Sequence, residues 1–539
     1  MSTDTGARAL VRTESSTLER LAGGLALLSG GTVVLGFLML SGVVAVEGDA
    51  AGVGTAAVAG GVLSALGVGV LGVGLGAYVG ALDADPDRSA GLVVGVVFGL
   101  LGAVGGGLLG AQTLGLSTLW PLAALAGGAG TFAAGAFLRE DLGSTLPAGA
   151  FVLGAGATIA SGVISPEWAW SPDALSATFT GGVVIPGIVV VAGLLAAWTA
   201  AKAHGGFGTH GRQRGAYVLI GANAAGMVAL LVIVVAFVVV RGFEPMTRGI
   251  RWGLFWGPVT WFYVPPLGEY VIIEGPIVWF YWPFVMEGWT LGDTINGVLP
   301  AIVGTVWLVV GAVLFAVPLG VGAAVFLTEY ADRGRFTALV EVSTNGLWST
   351  PSIVYGLFGL AFLVPRLGNT NSILAGQLVL GFMLLPLVVI TSREALKAVP
   401  DEYRDASAAL GVGKWETIRS VVVPAAMPGV ITGVILGVGR IAGETAPILL
   451  VTTGSPFPRR APAVLGGFQF TTTPPFVTNP ELLQASSALP YQLFAVIQGG
   501  VGENLSFAWG TALVLLLVVL SFYAVGIVSR IYFRRRLHQ

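Results

Sequence analysis

The sequence has no cysteine, only three histidines and only three lysines in 539 residues. Without cysteine there can be no disulfide framework, thiolate metal site or thiol nucleophile. His204, His210 and His538 lie beside charged or glycine-rich segments, which excludes a histidine-rich metal centre. Charge is scarce as well: 10% of residues are Asp, Glu, Lys or Arg, against about 25% in ordinary soluble domains. A formal charge of −2 and a pI near 6.0 give no sign of a nucleic-acid-binding surface. Lys202, Lys397 and Lys414 all lack the Gly-x4-Gly-Lys-Ser/Thr context in which backbone amides and a lysine cradle phosphates. The chain is expected to be no enzyme and to carry no cofactor; if ATP drives it, a separate subunit hydrolyses the ATP.

The residues present are mostly apolar or small: 55% are hydrophobic, 82 are glycine, and mean hydropathy is +0.86. A helix needs about 20 apolar residues to cross roughly 30 Å of hydrocarbon. Uncharged runs of that size occupy 21–46, 51–81, 89–138, 144–165, 174–201 and 215–240. Further runs occupy 294–328, 342–365, 367–392, 420–439 and 505–529. The 89–138 run divides into two spans at a turn from Gln112 to Pro121, and 420–439 continues past Arg440 and Glu444 as one longer span. The expectation is an all-α polytopic membrane protein with about 12 transmembrane helices. Twelve spans place both termini on one side. With that side cytoplasmic, 19 of the 26 Lys and Arg are cytoplasmic, among them Arg8, Arg12, Arg20, Lys202, Arg212, Arg214, Arg333, Arg335 and Arg530. The positive-inside rule therefore sets the orientation in the cell membrane. The first run lacks a small-residue cleavage site and reads as an anchor, not a removed signal peptide.

The two halves differ. Residues 1–205 form an N-terminal extension of about six spans, rich in Gly, Ala and Val, with no charge inside a span. Small residues let helix backbones approach closely, so a packing scaffold is the plain reading. No motif of the second half recurs in it, which argues against a duplicated transporter of six plus six spans. Residues 206–214 read as a cytoplasmic linker and 215–539 as a second six-span domain. Its non-cytoplasmic segment 241–293 is crowded with aromatics, including Trp252, Trp256, Trp261, Trp279, Phe280, Trp282 and Trp289. Such a segment either lies along the membrane interface or docks an external protein.

The polar segment 393–423 has an internal pattern. Ala406, Ala409 and Leu410 fall on one helix face, Gly411 and Gly413 break the helix, and Trp415, Ile418 and Val422 form a second stripe ending at Pro424. This predicts a helix–turn–helix presenting apolar residues to a partner's groove. Beyond it, Arg440 and Glu444 stand four residues apart, close enough to pair on one helix face. Ions inside a membrane span are costly and mark either a structural ion pair or a polar pathway. On the second reading, Arg440 offers a planar fork of donors that suits an oxyanion, and Glu444 orients it.

These motifs resemble a known family. Asp405-Ala406-Ser407, three residues, Gly411, nine residues and Val421-x-Val423-Pro424 keep the spacing of the coupling loop of ABC-importer permeases, with conservative replacements. The run Arg440-x-x-Gly443-Glu444-Thr445-Ala446-Pro447, with EYADRGR (329–335) and TPSIVYGLFGLAFLVP (350–365), is similar to the PstA-type permeases of phosphate importers. The resemblance covers about 215–539; residues 1–205 lie outside the usual pattern. It implies a permease domain forming half of a translocation pathway for inorganic phosphate. Asp405, Ala406, Ser407, Gly411, Trp415, Ile418 and Pro424 would couple to an ATPase, and Arg440, Glu444 and Thr445 would border the substrate path. The implied partners are a homologous PstC-like permease, a PstB-like ATP-binding subunit and an extracytoplasmic PstS-like phosphate-binding protein. Sulfate, molybdate or tungstate would suit the same arginine. An ion-gradient-driven transporter would need more titratable residues in its spans than this sequence has, and nothing favours a sensor without transport.

Overall fold

The computed structural model describes residues 17–537 apart from 51, 83, 117, 172–177, 265–268, 290–295, 333, 475 and 500–504. Arg8, Arg12 and Arg333, three of the arginines read as cytoplasmic, lie outside the described residues. The chain forms two compact units, Met1–Val234 and Val235–Gln539. Among the described residues, ten helices are long and apolar enough to cross a membrane, or eleven when one sharply bent pair counts as a span. The all-α polytopic architecture holds.

In unit 1, α1 (Thr17–Leu40), α2 (Thr55–Tyr78), α3 (Leu92–Leu108), α4 (Trp120–Phe137), α5 (Glu140–Ala160) and α6 (Gly181–His204) follow in order, then the start of α7 (Gly208–Thr247). The segment expected as the second part of the 89–138 run is α4, which is not among the ten candidate spans. α1 packs on α6, α2 on α5 and α3 on α4.

Two parts of this unit repeat each other. After α1, Ser41-Gly42-Val43-Val44 leads to Glu47 and a two-stranded hairpin, β1 (Asp49–Ala50) with β2 (Val53–Gly54). After α5, Ser161-Gly162-Val163-Ile164 leads to Glu167 and the hairpin β3 (Ala169–Trp170) with β4 (Phe179–Thr180). The turn bonds match: Val44 N donates to Leu38 O as Ile164 N does to Thr158 O, and Thr55 N to Gly48 O as Gly181 N does to Trp168 O. Packing is reciprocal as well. Gly36 of α1 lies against the backbone at Pro186 and Val190 of α6, and its counterpart Gly156 of α5 lies against Gly60 and Ser64 of α2. Each helix–hairpin–helix therefore packs its first helix on the second helix of the other, as a pseudo-two-fold requires. Glycine is needed at these crossings because a Cβ would meet partner backbone, a close approach typical of membrane helix pairs.

In unit 2 the remainder of α7 leads into a long antiparallel hairpin, β5 (Arg251–Val264) with β6 (Glu269–Tyr281). The aromatic segment is thus a β-ribbon, a form that its density of Val, Ile, Trp, Phe and Tyr favours. Trp252 and Trp256, each separated by one residue from Leu254, are exposed on one face. After α8 (Pro283–Met286) come α9 (Leu299–Val325), α10 (Arg335–Ser349), α11 (Ser352–Phe358), α12 (Ile373–Lys397), α13 (Asp401–Ala409), α14 (Lys414–Thr417) and α15 (Val423–Ala442). The chain continues through α16 (Ala446–Val451), the short hairpin β7 (Gln469–Phe470) with β8 (Val477–Thr478), α17 (Leu489–Gly499) and α18 (Ser506–Leu537). The centre is α12, capped by Ser372, whose side chain accepts from Ala375 N at 3.2 Å. Its Val379, Leu380, Leu384 and Val388 share one core with Leu308, Ala312 and Ala316 of α9 and Ile441 of α15.

The run 342–365, expected as one span, is not straight. α10 and the helix beginning at Ser352 meet at 101°. Thr350 takes an extended conformation (ψ 132°) before Pro351, as the residue before a proline prefers.

The glycine crossings give a direct test. Gly156→Leu is expected to force α2 and α5 apart and to destabilise the protein by about 1–3 kcal/mol, whereas Gly154→Leu, with open space around it, is expected to be near neutral. Thermal unfolding of both purified variants checks this, and equal midpoints would contradict the packing.

Candidate functional site

Two places in unit 2 hold the residues singled out from the sequence. The first is the loop between α12 and α15. α13 ends at Gly411, whose φ of +74° is the left-handed turn that glycine adopts without strain. Gly411 N bonds Ala408 O at 2.9 Å and Val412 N bonds Ser407 O at 3.2 Å, the pair of bonds that closes a Schellman helix end. The second helix does not stop at Pro424. Lys414–Ala442 runs as one helix through a π-turn at Ile418–Val422. A proline inside a helix removes one donor and crowds the carbonyl four residues back, and a widened turn just before Pro424 accommodates both effects.

The seven expected coupling residues separate by exposure. Asp405, Ala406, Gly411 and Trp415 face outward, with Trp415 60% exposed and its neighbour Leu410 83% exposed. Ser407 and Ile418 are buried, Pro424 is half-buried, and Val422 is fully enclosed. Ile418 and Val422 therefore fasten the loop to its own unit, and its most exposed apolar groups are Leu410 and Trp415.

An arginine that the sequence reading passed over anchors this loop. Arg404 Nη2 donates to Glu329 Oε1 at 2.8 Å and to Leu396 O at 3.1 Å, while Nη1 donates to Val399 O at 2.9 Å and Asp401 Oδ1 at 3.2 Å. Glu329, just beyond α9, holds the Arg404 guanidinium above its ordinary pKa through this hydrogen bond. Next to it, the Lys414 ammonium lies 4.9 Å from the Tyr330 ring centre. The Glu329-Tyr330 pair of the EYADRGR segment is thus the clasp that ties the loop to the end of α9.

The second place is the break between α15 and α16. α15 ends at Ala442, so Glu444 sits outside the helix that carries Arg440. The expected pairing on one helix face is replaced by a loose contact, Arg440 Nε to Glu444 Oε1 at 3.9 Å. The face of the guanidinium stacks on Trp348, with Cζ 4.3 Å from the ring centre. Trp348 is placed there by the bend at Pro351, which Tyr355 secures by donating to Leu347 O at 2.9 Å. Arg440 is 38% exposed and Glu444 18%. Among the described residues, the Arg440 guanidinium makes no hydrogen bond, so its donors remain unspent at a broken span. Thr445 is half-buried and precedes the first turn of α16, with its carbonyl accepting from Leu449 N at 2.9 Å. Among the described residues, no cluster of His, Asp or Glu could hold a metal ion.

In unit 1 the structure shows a site that the sequence reading missed. Lys202, read as one of the cytoplasmic basic residues at the end of the extension, is 1% exposed and pairs with the fully buried Glu140 at 2.9 Å. Lys202 also donates to Ser144 Oγ at 2.8 Å. Both charges belong to helix ends, and an interruption in hydropathy does not distinguish a buried end from a solvated one.

Bent and broken apolar helices beside a protruding helix–turn–helix loop are the parts of a multi-pass membrane permease. Residues 316–539 match the family described as binding-protein-dependent transport system inner membrane component. The chain is 35% identical over 239 residues to phosphate transport system permease protein PstA 1 of Mycobacterium tuberculosis, covering 44% of this chain and 72% of that one. It is 35% identical to the probable ABC transporter permease protein YqgI of Bacillus subtilis (42% and 75% covered) and 31% identical to PstA of Yersinia pestis (45% and 74%). An inward-facing MetNI methionine ABC transporter aligns at a TM-score of 0.33 and 17% identity, over 44% of this chain and 94% of that one. The chain belongs to the binding-protein-dependent permease family of ABC importers. Two of the three relatives named first are PstA subunits of phosphate transport systems.

The clasp generates a prediction. Hydrogen bonds to charged groups contribute about 1.5–3 kcal/mol each, so Arg404→Gln is expected to speed amide exchange across 401–413 by at least tenfold without unfolding the spans. Exchange at wild-type rates would show that the loop is held by other contacts.

Proposed function

We propose that the chain is a permease subunit of an ATP-driven importer of inorganic phosphate, forming half of the translocation pathway. One observation carries the proposal: a guanidinium stacked on Trp348, with its hydrogen-bonding edge free, stands where the span is broken. A planar fork of N–H donors binds a tetrahedral oxyanion through charge-assisted pairs, and the loose hold of Glu444 leaves the arginine free to exchange partners. The names of the PstA relatives support phosphate as that oxyanion. Thr445, next to the break, completes the polar border.

In this reading Asp405, Ala406, Gly411, Leu410 and Trp415 form the outward face that a separate ATP-hydrolysing subunit grips, in the manner of an apolar helix entering a groove. The Schellman turn at Gly411 sets the angle between α13 and α14, and Ser407, Ile418 and Pro424 hold that face rigidly on α15. Movement of the loop then reaches Arg440 along a single continuous helix, Lys414–Ala442. A PstC-like permease would supply the other half of the pathway, a PstB-like subunit the ATPase and a PstS-like protein the external phosphate. The excess of cytoplasmic Lys and Arg supports termini on the side of the coupling loop.

Arg440→Ala is expected to lower uptake of radiolabelled phosphate at least tenfold in cells with the complex assembled at normal levels. Wild-type uptake by that variant would remove Arg440 from the path. Suppression of uptake by excess sulfate or molybdate would assign the path to another oxyanion. Trp415→Ala is expected to lower co-purification of the ATPase subunit, measured by its stoichiometry in the isolated complex, while leaving the spans folded. Full stoichiometry with undiminished transport would show that Trp415 is not part of the grip.

A further inference from the structure

The pseudo-two-fold of unit 1 shows where the unit departs from its own pattern. With Thr55 equivalent to Gly181, the end of α6 carries Lys202 and His204 where the end of α2 carries Gly76 and Tyr78. The first copy thus completes the same helix end without the Lys202 ammonium or the imidazole. The added lysine has a visible local effect. Glu140 Oε2 accepts from Gly208 N at 3.0 Å and from Asp87 N at 3.1 Å, and Oε1 pairs with Lys202 and with Arg212, the latter at 3.3 Å. This locks the turn from α6 to α7, in which Gly206, Phe207 and Gly208 all have positive φ. Phe207, only 2% exposed, takes that conformation while packed among Ala22, Val73, Ala77 and Ala203. A strained non-glycine turn fixed by a buried charge is a costly way to make a connection.

The turn brings polar groups around one cavity of about 430 Å³, lined by Glu19, His204, His210, Gln213, Arg214 and Tyr217. His204 Nδ1 lies 2.9 Å from Glu19 O, and since a carbonyl only accepts, that nitrogen carries the proton and Nε2 is left over. Arg214 spends Nη1 on His204 O at 2.9 Å, with no other hydrogen bond among the described residues. Gln213 Nε2 donates to Tyr217 Oη at 3.1 Å, which leaves the phenolic O–H as a donor. The Arg214 guanidinium thus stands opposite the single carboxylate of Glu19, and two imidazoles and a phenol add polar groups to the same wall. The cavity lies where two apolar spans end and α7 begins, so it stands at headgroup depth.

We propose that this cavity is a binding site for a phosphate group, either the headgroup of an anionic lipid or free inorganic phosphate. Arg214 supplies the charged fork, His210 and Tyr217 supply further polar contacts, and His204 Nε2 accepts from a protonated phosphate oxygen. This inference concerns unit 1 alone and does not depend on the transport reading of unit 2.

The test uses the full chain in phosphatidylcholine nanodiscs, probed with radiolabelled inorganic phosphate in one arm and with added phosphatidic acid, detected by native mass spectrometry, in the other. Arg214→Gln and His210→Gln are each expected to weaken binding of whichever probe the wild type retains by tenfold or more. Arg440→Gln is expected to leave retention of phosphatidic acid unchanged and, in the phosphate arm, to remove at most the share held in the transport path, the remainder being lost when Arg214→Gln is added, which separates the two sites. Retention of phosphatidic acid alone identifies a lipid site, and retention of phosphate identifies a solute site. The proposal is overturned if the wild type retains neither probe, or if Arg214→Gln and His210→Gln variants with wild-type unfolding midpoints both bind as the wild type does. Binding lost in Arg440→Gln but kept in Arg214→Gln overturns it equally.

Discussion

In a chain with so little charge, each ion at or inside an apolar span must be paired, covered or used, and that constraint arranges both units. Leaving a charge unpaired in a low-dielectric interior is far costlier than leaving it in water. Lys202 is met by Glu140, Arg404 by Glu329, and Arg393 by Glu341. Each of these cations joins segments far apart in sequence, so its neutralisation also sets the fold. Arg440 is the contrast. Its flat face is covered by Trp348, its carboxylate neighbour stands 3.9 Å away, and its donors are open. A group held in that way is positioned without being saturated, as a transient ligand site requires.

The helices reach this arrangement by two kinds of packing. Unit 1 relies on glycines at its crossings, so that backbone meets backbone and the pairs of the pseudo-two-fold close tightly. Unit 2 is built around α12, whose aliphatic residues fill the space between α9 and α15. Around that packed centre the apolar helices are interrupted where polar work is proposed: at Pro351, at the π-turn before Pro424, and at Gly443 after α15. Non-helical backbone at membrane depth is tolerated only when protein or a polar cavity covers it. The bend at Pro351 has its own compensation in the Tyr355 bond to Leu347, and the same bend delivers Trp348 to Arg440. The break that exposes an arginine and the bend that shields it are therefore one local solution.

Composition and spacing by themselves determined much of this protein. Scarce charge and long apolar runs fixed a polytopic α-helical membrane protein, because hydrocarbon admits little else. The apolar stripe of Ala406, Ala409 and Leu410 broken by Gly411 predicted a helix that turns there, because a left-handed helix end favours glycine, while the intervals around Gly411 carried only the family resemblance. Only the tertiary structure decided the rest. The partners of Arg404, Lys202 and Arg440 lie 75, 62 and 92 residues away, at Glu329, Glu140 and Trp348, and no local pattern encodes such pairings. The aromatic ribbon was open to reading as strands, yet its pairing partner was not. The repeat within unit 1 is carried by a few small residues whose meaning appears only when two backbones touch. Sequence registers what each segment prefers along itself; which charge meets which, and where a span breaks, follows from burial and electrostatics that exist only once the helices have packed.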